Sequence, residues 1–465
     1  MTQPYAIGLQ TQPNEIRVEQ LPVRGTLPGW LRGTLLRNGP GQFEVGQKGM
    51  RHWFDGPAQV HKFSFQNGQV NYANKFLQTR TYQSIQAGKI AYQEFATDPC
   101  RSFFQRMMAV FQNDPTDNTN VNITKLAGKV VAITELPMAV EFDPETLETL
   151  RHVAFNDDIK GTTNTPHPHF DPRRGQAINE TTRFGLKNQY HVYRMAAGET
   201  KRHLIGTVDT KTPAYMHSFA LTENYVVLVE FSMFPNALRL LQGSTFGDAL
   251  EFRSNVPSRI FIVQRQDGSL LKTLEAEPFF AFHHVNAYEQ GNEIVMDVVA
   301  YPDGEIVRAL YLDALRTSTP QIGHVRRYRL NLSGGVHASY ETLNDTPLEL
   351  PRIAYEGHNG LPYRYTYGIS ARSGGFMNQL VKLDVETRAA TTWHEAGCHP
   401  GEPVFVAQPG AAAEDDGVVL SVVLDTAQGN SFLLALDAAT FTEIARATVP
   451  QVVPLGFHGI YTERD

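Results

Sequence analysis

The sequence predicts an all-β protein in the form of a β-propeller. Three observations carry that reading: apolar runs of strand length recur along the chain, turn-forming clusters separate them, and one strand-turn phrase returns three times. The runs are AQVHKFSF (58–65), KVVAITEL (129–136), NYVVLVEF (224–231), RIFIVQR (259–265), EIVMDVVAY (293–301), VRRYRLNL (325–332), VVLSVVLD (418–425) and FLLALDAA (432–439). Most are rich in Val, Ile and aromatic residues, which suit a pleated, half-buried surface. Between runs stand NGQ, DPET, QDGS, PDGE and NLSGG, whose Gly, Asp and Asn tolerate or brace the tight turns that join antiparallel strands. The returning phrase is VEFDPETLE (140–148), VKLDVETRA (381–389) and LALDAATFT (434–442), each a strand, an Asp, and a Thr three residues later. The copies are irregularly spaced, so they suit blades of unequal length better than a solenoid. Meandering sheets repeated around an axis have protected edges, and side chains from distant parts of the chain converge on that axis. A pair of sandwich domains is the alternative on pattern alone.

Composition narrows the function classes. The chain has 465 residues, 42% hydrophobic and 19% charged, with 37 Gly and 27 Pro spread along it, as in a turn-rich protein with a large core. Residues 1–465 are expected to form one catalytic propeller domain carrying insertions. A net charge of −7 without a Lys/Arg block is a poor match for a phosphate backbone, so nucleic acid is not an expected partner. Cys100 and Cys398 are far apart and outside any CxxC pair, which points to a reducing, cytoplasmic compartment rather than a disulfide framework. The start, MTQPYAIGLQTQPNEI, lacks the basic-then-apolar order of a secretory signal, and nothing reaches 18 uninterrupted apolar residues.

Two segments interrupt the β pattern. In CRSFFQRMMAVFQ (100–112), Phe104, Met107, Met108 and Phe111 fall at helical spacing beside Arg101 and Arg106, and FSMFPNALRLL (231–241) is a second apolar cluster with an Arg. Either these are core-facing helices, or they are patches that dip into a membrane surface and admit a lipid-soluble substrate.

Sixteen histidines are present. Four lie in turn or strand-end contexts: His167 in NTPHPHFDP, His217 in PAYMHSFALTENY, His283 in FFAFHHVNAYE and His458 in PLGFHGIY, spaced 50, 66 and 175 residues apart. Only a fold that gathers distant blades could make one site of them. Four neutral imidazoles suit a borderline first-row metal, and iron(II) with four ligands keeps room for O2, whereas catalytic zinc usually takes three protein ligands. Ligand histidines need an acceptor for the second ring N–H, commonly a carboxylate. Glu135 in ITELP, Glu356 in AYEGHNG and Glu402 in PGEPVFV are acids in apolar or glycine-rich surroundings and are the candidates for that role.

With those residues in view, the sequence resembles the carotenoid cleavage oxygenase family. The likeness runs from LPGWLRGTLLRNGPGQFE and HWFDGPAQVHKFSF, through the four histidine segments, to GEPVFVAQPGAAAEDDGVVLSVVLD and GFHGIY. The resemblance implies a seven-bladed propeller under a helical dome, one axial Fe(II), and O2-dependent cleavage of a carotenoid or apocarotenoid double bond into two carbonyl products. It implies His167, His217, His283 and His458 as ligands and Glu135, Glu356 and Glu402 behind them. Phe457 and Thr134 are expected in the substrate wall. TDPCRSFFQ, MHSFALTENYVVLVE and AEDDGVVLSVV resemble the animal-type branch, in which the 100–112 segment faces the membrane; peripheral membrane association is therefore expected. Stilbene-cleaving relatives carry a lysine where this chain has Thr134, which argues against phenolic stilbenes. Retinoid-ester isomerohydrolysis on the same iron site is the other reading, and a metal-free binding module the third. No GxGxxG follows a strand, so no dinucleotide cofactor is expected.

Overall fold

The structure is a computed structural model that describes residues 2–99, 115–372 and 375–463. The expected helix at 100–112, and Cys100 with it, lie outside the described residues.

Seven antiparallel sheets of four to six strands form the blades of a propeller. Within a blade the chain starts at the axis and steps outward. Blade 2 runs Asn122–Leu126, Lys129–Ile133, Ala139–Phe142, Thr149–Val153 in hydrogen-bonded order, and blade 5 repeats the scheme with His284–Gln290, Glu293–Ala300, His324–Asn331 and Tyr340–Thr342. The strand runs read from the sequence are the central strands of these blades. They are continuous rather than alternating because both of their faces pack on neighbouring blades: Ala58–Gln66 is buried at every residue but its last. The more peripheral Gln69–Phe76 has one wet face, and its burial alternates accordingly.

The ring is closed twice. Blade 1 takes its innermost strand, Gly459–Thr462, from the end of the chain, pairing it with Gly33–Pro40. Blade 7 takes its outermost strand, Val23–Gly25, from the beginning, against Glu443–Val449. Both seams place a C-terminal and an N-terminal segment in one sheet, so neither end can leave without unzipping a ladder.

The three copies of the returning phrase are the outer hairpins of blades 2, 6 and 7. Asp143 accepts backbone N–H bonds from Glu145 and Thr146 at 2.7 and 3.0 Å. Asp384 does the same for Glu386 and Thr387, and Asp437 for Thr440. The fourth residue after each Asp (Leu147, Arg388, Phe441) has a positive φ near 60°, a conformation that the Asx turn imposes on non-glycine residues.

Short helices are inserted between strands, including Arg80–Gln86, Ala237–Leu241, Phe246–Ala249, Glu305–Ala309 and Leu312–Leu315. In the 231–241 segment, Phe231, Met233 and Phe234 are buried, but the helix buries none of its residues, and Leu238 and Leu241 are exposed. A core-facing helix is therefore the wrong reading of that stretch.

Candidate metal centre

The segments that lead into or interrupt a blade's innermost strand sit at the mouth of the axis, and the four histidines lie in such segments. His217 precedes Ala220–Leu221, His283 precedes His284–Gln290, and His458 precedes Gly459–Thr462, while His167 lies between Thr163–Asn164 and His169–Asp171. These inner strands belong to blades 4, 5, 1 and 3. One ring nitrogen from each of the four falls within 4.8 Å of the others. The Nε2 atoms of His167 and His217 are 3.1 Å apart, as are those of His283 and His458.

Three carboxylates take the opposite ring nitrogens. Glu135 Oε1 lies 2.5 Å from His217 Nδ1, Glu349 Oε2 lies 2.6 Å from His283 Nδ1, and Glu402 Oε1 lies 2.7 Å from His458 Nδ1. Each such bond fixes the tautomer with hydrogen on Nδ1 and leaves the Nε2 lone pair facing the centre. His283 and His458 then present two lone pairs to each other at 3.1 Å, a contact that repels unless a cation lies between them. The donor set thus fits a metal ion. His167 has no carboxylate on its ring among the described residues.

Burial favours the neutral form of His167, His217 and His458. It depresses His167 well below its ordinary value, reinforced by the neighbouring His458, His217 and His283. It lowers His217 against the opposing pull of Glu135, and takes His458 down to about 4 despite Glu402. Burial pushes the carboxyls of Glu402 and Glu349 upward, but is overcome. Arg352 and Arg37, then His458, hold Glu402 far below the usual carboxylate range. His283, with bonds from the Leu350 N–H and Tyr301, lowers Glu349. Neutral imidazoles beside ionised carboxylates are the protonation state a divalent metal requires.

Glu349, rather than Glu356, occupies the third carboxylate position. Glu356 is exposed on the helical turn Tyr355–His358 and borders a small surface cleft with Phe170 and Asn359. The chain passes the axis at Glu349, the first residue of blade 6's innermost strand Glu349–Arg352, and has left it seven residues later. The sequence does hold a signal: in TPLELPRI an acid stands between two leucines at a strand start, where burial is costly without a partner. Tyr215 and Tyr301 were also missed. Their hydroxyls donate to Glu135 and Glu349, and burial raises both phenols far above their ordinary value, so they remain donors. His169, His284 and His358 bond locally, to the Phe219 carbonyl and Tyr355, to Ser218, and to the Pro362 carbonyl.

A cavity of about 1000 Å³ opens onto His217, His283 and His458. Thr134 and Phe457 are both on its wall, with Phe54, Phe282, Ile369 and Phe376 among the apolar residues around them. Phe457 packs on Trp53 and Phe54 with ring centroids 4.8 and 5.3 Å apart, and Phe282 packs edge-on against the His217 ring. Ala237, Leu240 and Leu241 of the exposed helix reach the same cavity, as do Phe184 and Gly185, which adjoin the fully exposed Leu186.

Residues 9–463 match the family described as retinal pigment epithelial membrane protein. The chain belongs to this family, the carotenoid oxygenases. It is 35% identical to a mitochondrial carotenoid-cleaving dioxygenase of Mustela putorius furo over 97% of this chain and 95% of that protein. It is 34% identical to a mouse β,β-carotene 15,15'-dioxygenase over 97% and 90%, and 32% identical to a carotenoid isomerooxygenase of Galleria mellonella over 95% and 93%. Cobalt-substituted Synechocystis ACO superposes with a TM-score of 0.89 at 26% identity, covering 99% of this chain and 98% of that one. The seven-bladed carotenoid oxygenase fold and the four-histidine group thus stand together in one chain.

Proposed function

We propose that this protein is an iron(II) dioxygenase that cleaves a double bond of a carotenoid or apocarotenoid with O2 to give two carbonyl products. The observation that carries the reading is the four-histidine group, three of whose members line a largely apolar cavity, in a chain whose relatives at 32 to 35% identity are named carotenoid-cleaving dioxygenase, β,β-carotene 15,15'-dioxygenase and carotenoid isomerooxygenase. Four neutral nitrogen ligands leave the metal's full positive charge uncompensated by ligands and leave positions for a further small molecule. His167, His217, His283 and His458 would hold iron(II), which supplies the activation of O2 when bound.

The rest of the chemistry belongs to the chain. Glu135, Glu349 and Glu402 orient three imidazoles through Nδ1 and keep them from rotating. Phe54, Phe282 and Phe457 form an aromatic wall beside the ligands; it excludes water and seats a flat polyene by dispersion, without directional polar contacts. Thr134, next to Glu135, places a small hydroxyl rather than a cation on that wall, which suits a hydrocarbon chain better than a phenolate.

Access is by way of a lipid surface. Leu186, Leu238 and Leu241 are exposed beside residues that line the cavity, and no helix among the described residues is long and apolar enough to cross a membrane. An apolar rim on a cavity mouth lets a water-insoluble substrate move from bilayer to site without crossing water.

The test supplies β-carotene and a series of apocarotenals to iron-loaded protein in detergent under air, with products identified by mass. Two carbonyl fragments whose carbons sum to the substrate are expected. Metal-loaded protein that cleaves no polyene, or that yields an isomerised alcohol, overturns the reading.

A further inference from the structure

The three carboxylates behind the histidines are not held alike. Glu135 and Glu349 each receive a tyrosine hydroxyl, which adds a donor but no charge. Glu402 instead receives Arg37, whose Nη1 donates to Glu402 Oε2. The same guanidinium donates from Nη2 to the backbone carbonyl of Phe457 at 2.5 Å, the residue immediately before His458. The pair is deeply buried, with side-chain exposures of 7% for Arg37 and 1% for Glu402.

Arg37 stands on Gly33–Pro40, the strand against which the end of the chain closes the ring. The two segments are in backbone contact. Phe457 N donates to the Asn38 carbonyl and Asn38 N to the His458 carbonyl, both at 2.9 Å. A Cβ at Gly459 would lie 2.0 Å from the Leu36 carbonyl oxygen, so only glycine allows this approach. Gly459 N also donates to Glu402 Oε2 at 3.1 Å. The fourth histidine is therefore delivered by the last strand, and one guanidinium ties that strand to its carboxylate.

We propose that Arg37 is the positioning residue of the His458 arm: its planar fork, lodged between the Glu402 carboxylate and the Phe457 carbonyl, sets where His458 meets the metal. A second arginine shows what Arg37 prevents. Arg352 Nη1 lies 3.6 Å from Glu402 Oε1, the oxygen that His458 uses, and its side chain is 27% exposed. With Arg37 bound to Oε2, Oε1 is left for His458. Without Arg37, the buried carboxylate loses the cation on Oε2 and turns toward Arg352, taking its acceptor away from the imidazole. Lysine would keep the charge but cannot bridge both acceptors in one plane.

The proposal rests on the reading that the four histidines hold a metal, and one experiment separates the two. Metal-free wild type, Arg37→Lys and Arg37→Gln are titrated with Co(II) alone, following the visible absorption of the bound ion, and thermal unfolding of each metal-free form is recorded alongside. Wild type should take up one Co(II) per chain. Arg37→Gln should bind it on the order of 10 to 100-fold more weakly, with an altered spectrum, and Arg37→Lys should fall between. Variants that melt earlier yet match wild type in cobalt affinity and spectrum to within about twofold overturn the proposal, because Arg37 would then serve only the seam. If Arg37→Gln does not fold, Arg37→Lys decides by the same criterion. Wild type that takes up no cobalt overturns the metal reading and this proposal together.

Discussion

The inner and outer ends of the blades are built on opposite rules. The outer hairpins of blades 2, 6 and 7 repeat one device, an Asp that caps its own turn, followed by a residue at positive φ. The inner ends repeat a position and vary its occupant: histidine at blades 1, 3, 4 and 5, and glutamate at blades 6 and 7, where Glu349 begins an inner strand and Glu402 lies between two inner segments. Glu135 comes from the turn between two strands of blade 2, Lys129–Ile133 and Ala139–Phe142. Repetition outside satisfies each turn locally. Variation inside lets the inner ends of six blades, with the Glu135 turn of blade 2, bring four imidazoles and the three carboxylates that orient them to one axis.

The largest effect should come from the inner ends. His283→Ala removes a ligand and strands Glu349 without its partner, so metal analysis should find stoichiometric iron lost and cleavage gone. Next comes a direct contest between the two glutamates. Glu349→Gln should weaken metal binding on the order of 10 to 100-fold, while Glu356→Gln, at an exposed turn, should bind metal like wild type. Equal behaviour of the two variants in a metal titration would break the assignment of the blade 6 position.

A smaller effect belongs to blade 3, away from the ligands. Glu180 is buried with Thr182 donating to one oxygen at 2.8 Å and no partner for Oε2 among the described residues. Burial pushes its carboxyl from the usual 4.5 up to about 8. The folded protein therefore keeps a proton that the unfolded chain releases above about 4.5, so this group's contribution to stability declines as pH rises from there to about 8. Denaturant midpoints measured between pH 5.5 and 8 should fall with rising pH, and Glu180→Gln should flatten that slope. The smallest effect sharpens the contrast from the outside: Asp143→Ala should cost about 1 kcal/mol of stability, the worth of its turn bonds, and leave metal content unchanged. A metal defect in that variant would mean that the two ends of a blade are not independent.

How far the sequence could be read follows the same division. Strands buried on both faces announce themselves as apolar runs, and the Asp-to-Thr phrase marks outer hairpins because its turn is satisfied by its own residues. The histidines were visible as a set because four of them sit in strand-end contexts. The signal at Glu349, an acid between two leucines, is weak because it cannot be told from an ordinary strand residue until the inner strand is located. Glu356, with glycine beside it, imitated a strand-end context while belonging to a helical turn. Arg37 and Tyr301 were hidden for a different reason. They act through a carboxylate 365 and 48 residues away in sequence; closure of the ring brings Arg37 to Glu402, and the packing of blade 5 on blade 6 brings Tyr301 to Glu349.

Oxygen labelling tests the central claim most directly. Iron-loaded protein is given β-carotene or an apocarotenal under 18O2, and the carbonyl products are reduced at once to alcohols to prevent exchange with water. The account predicts label in both fragments and no turnover when O2 is withheld. Product formation at an undiminished rate without O2 would contradict it.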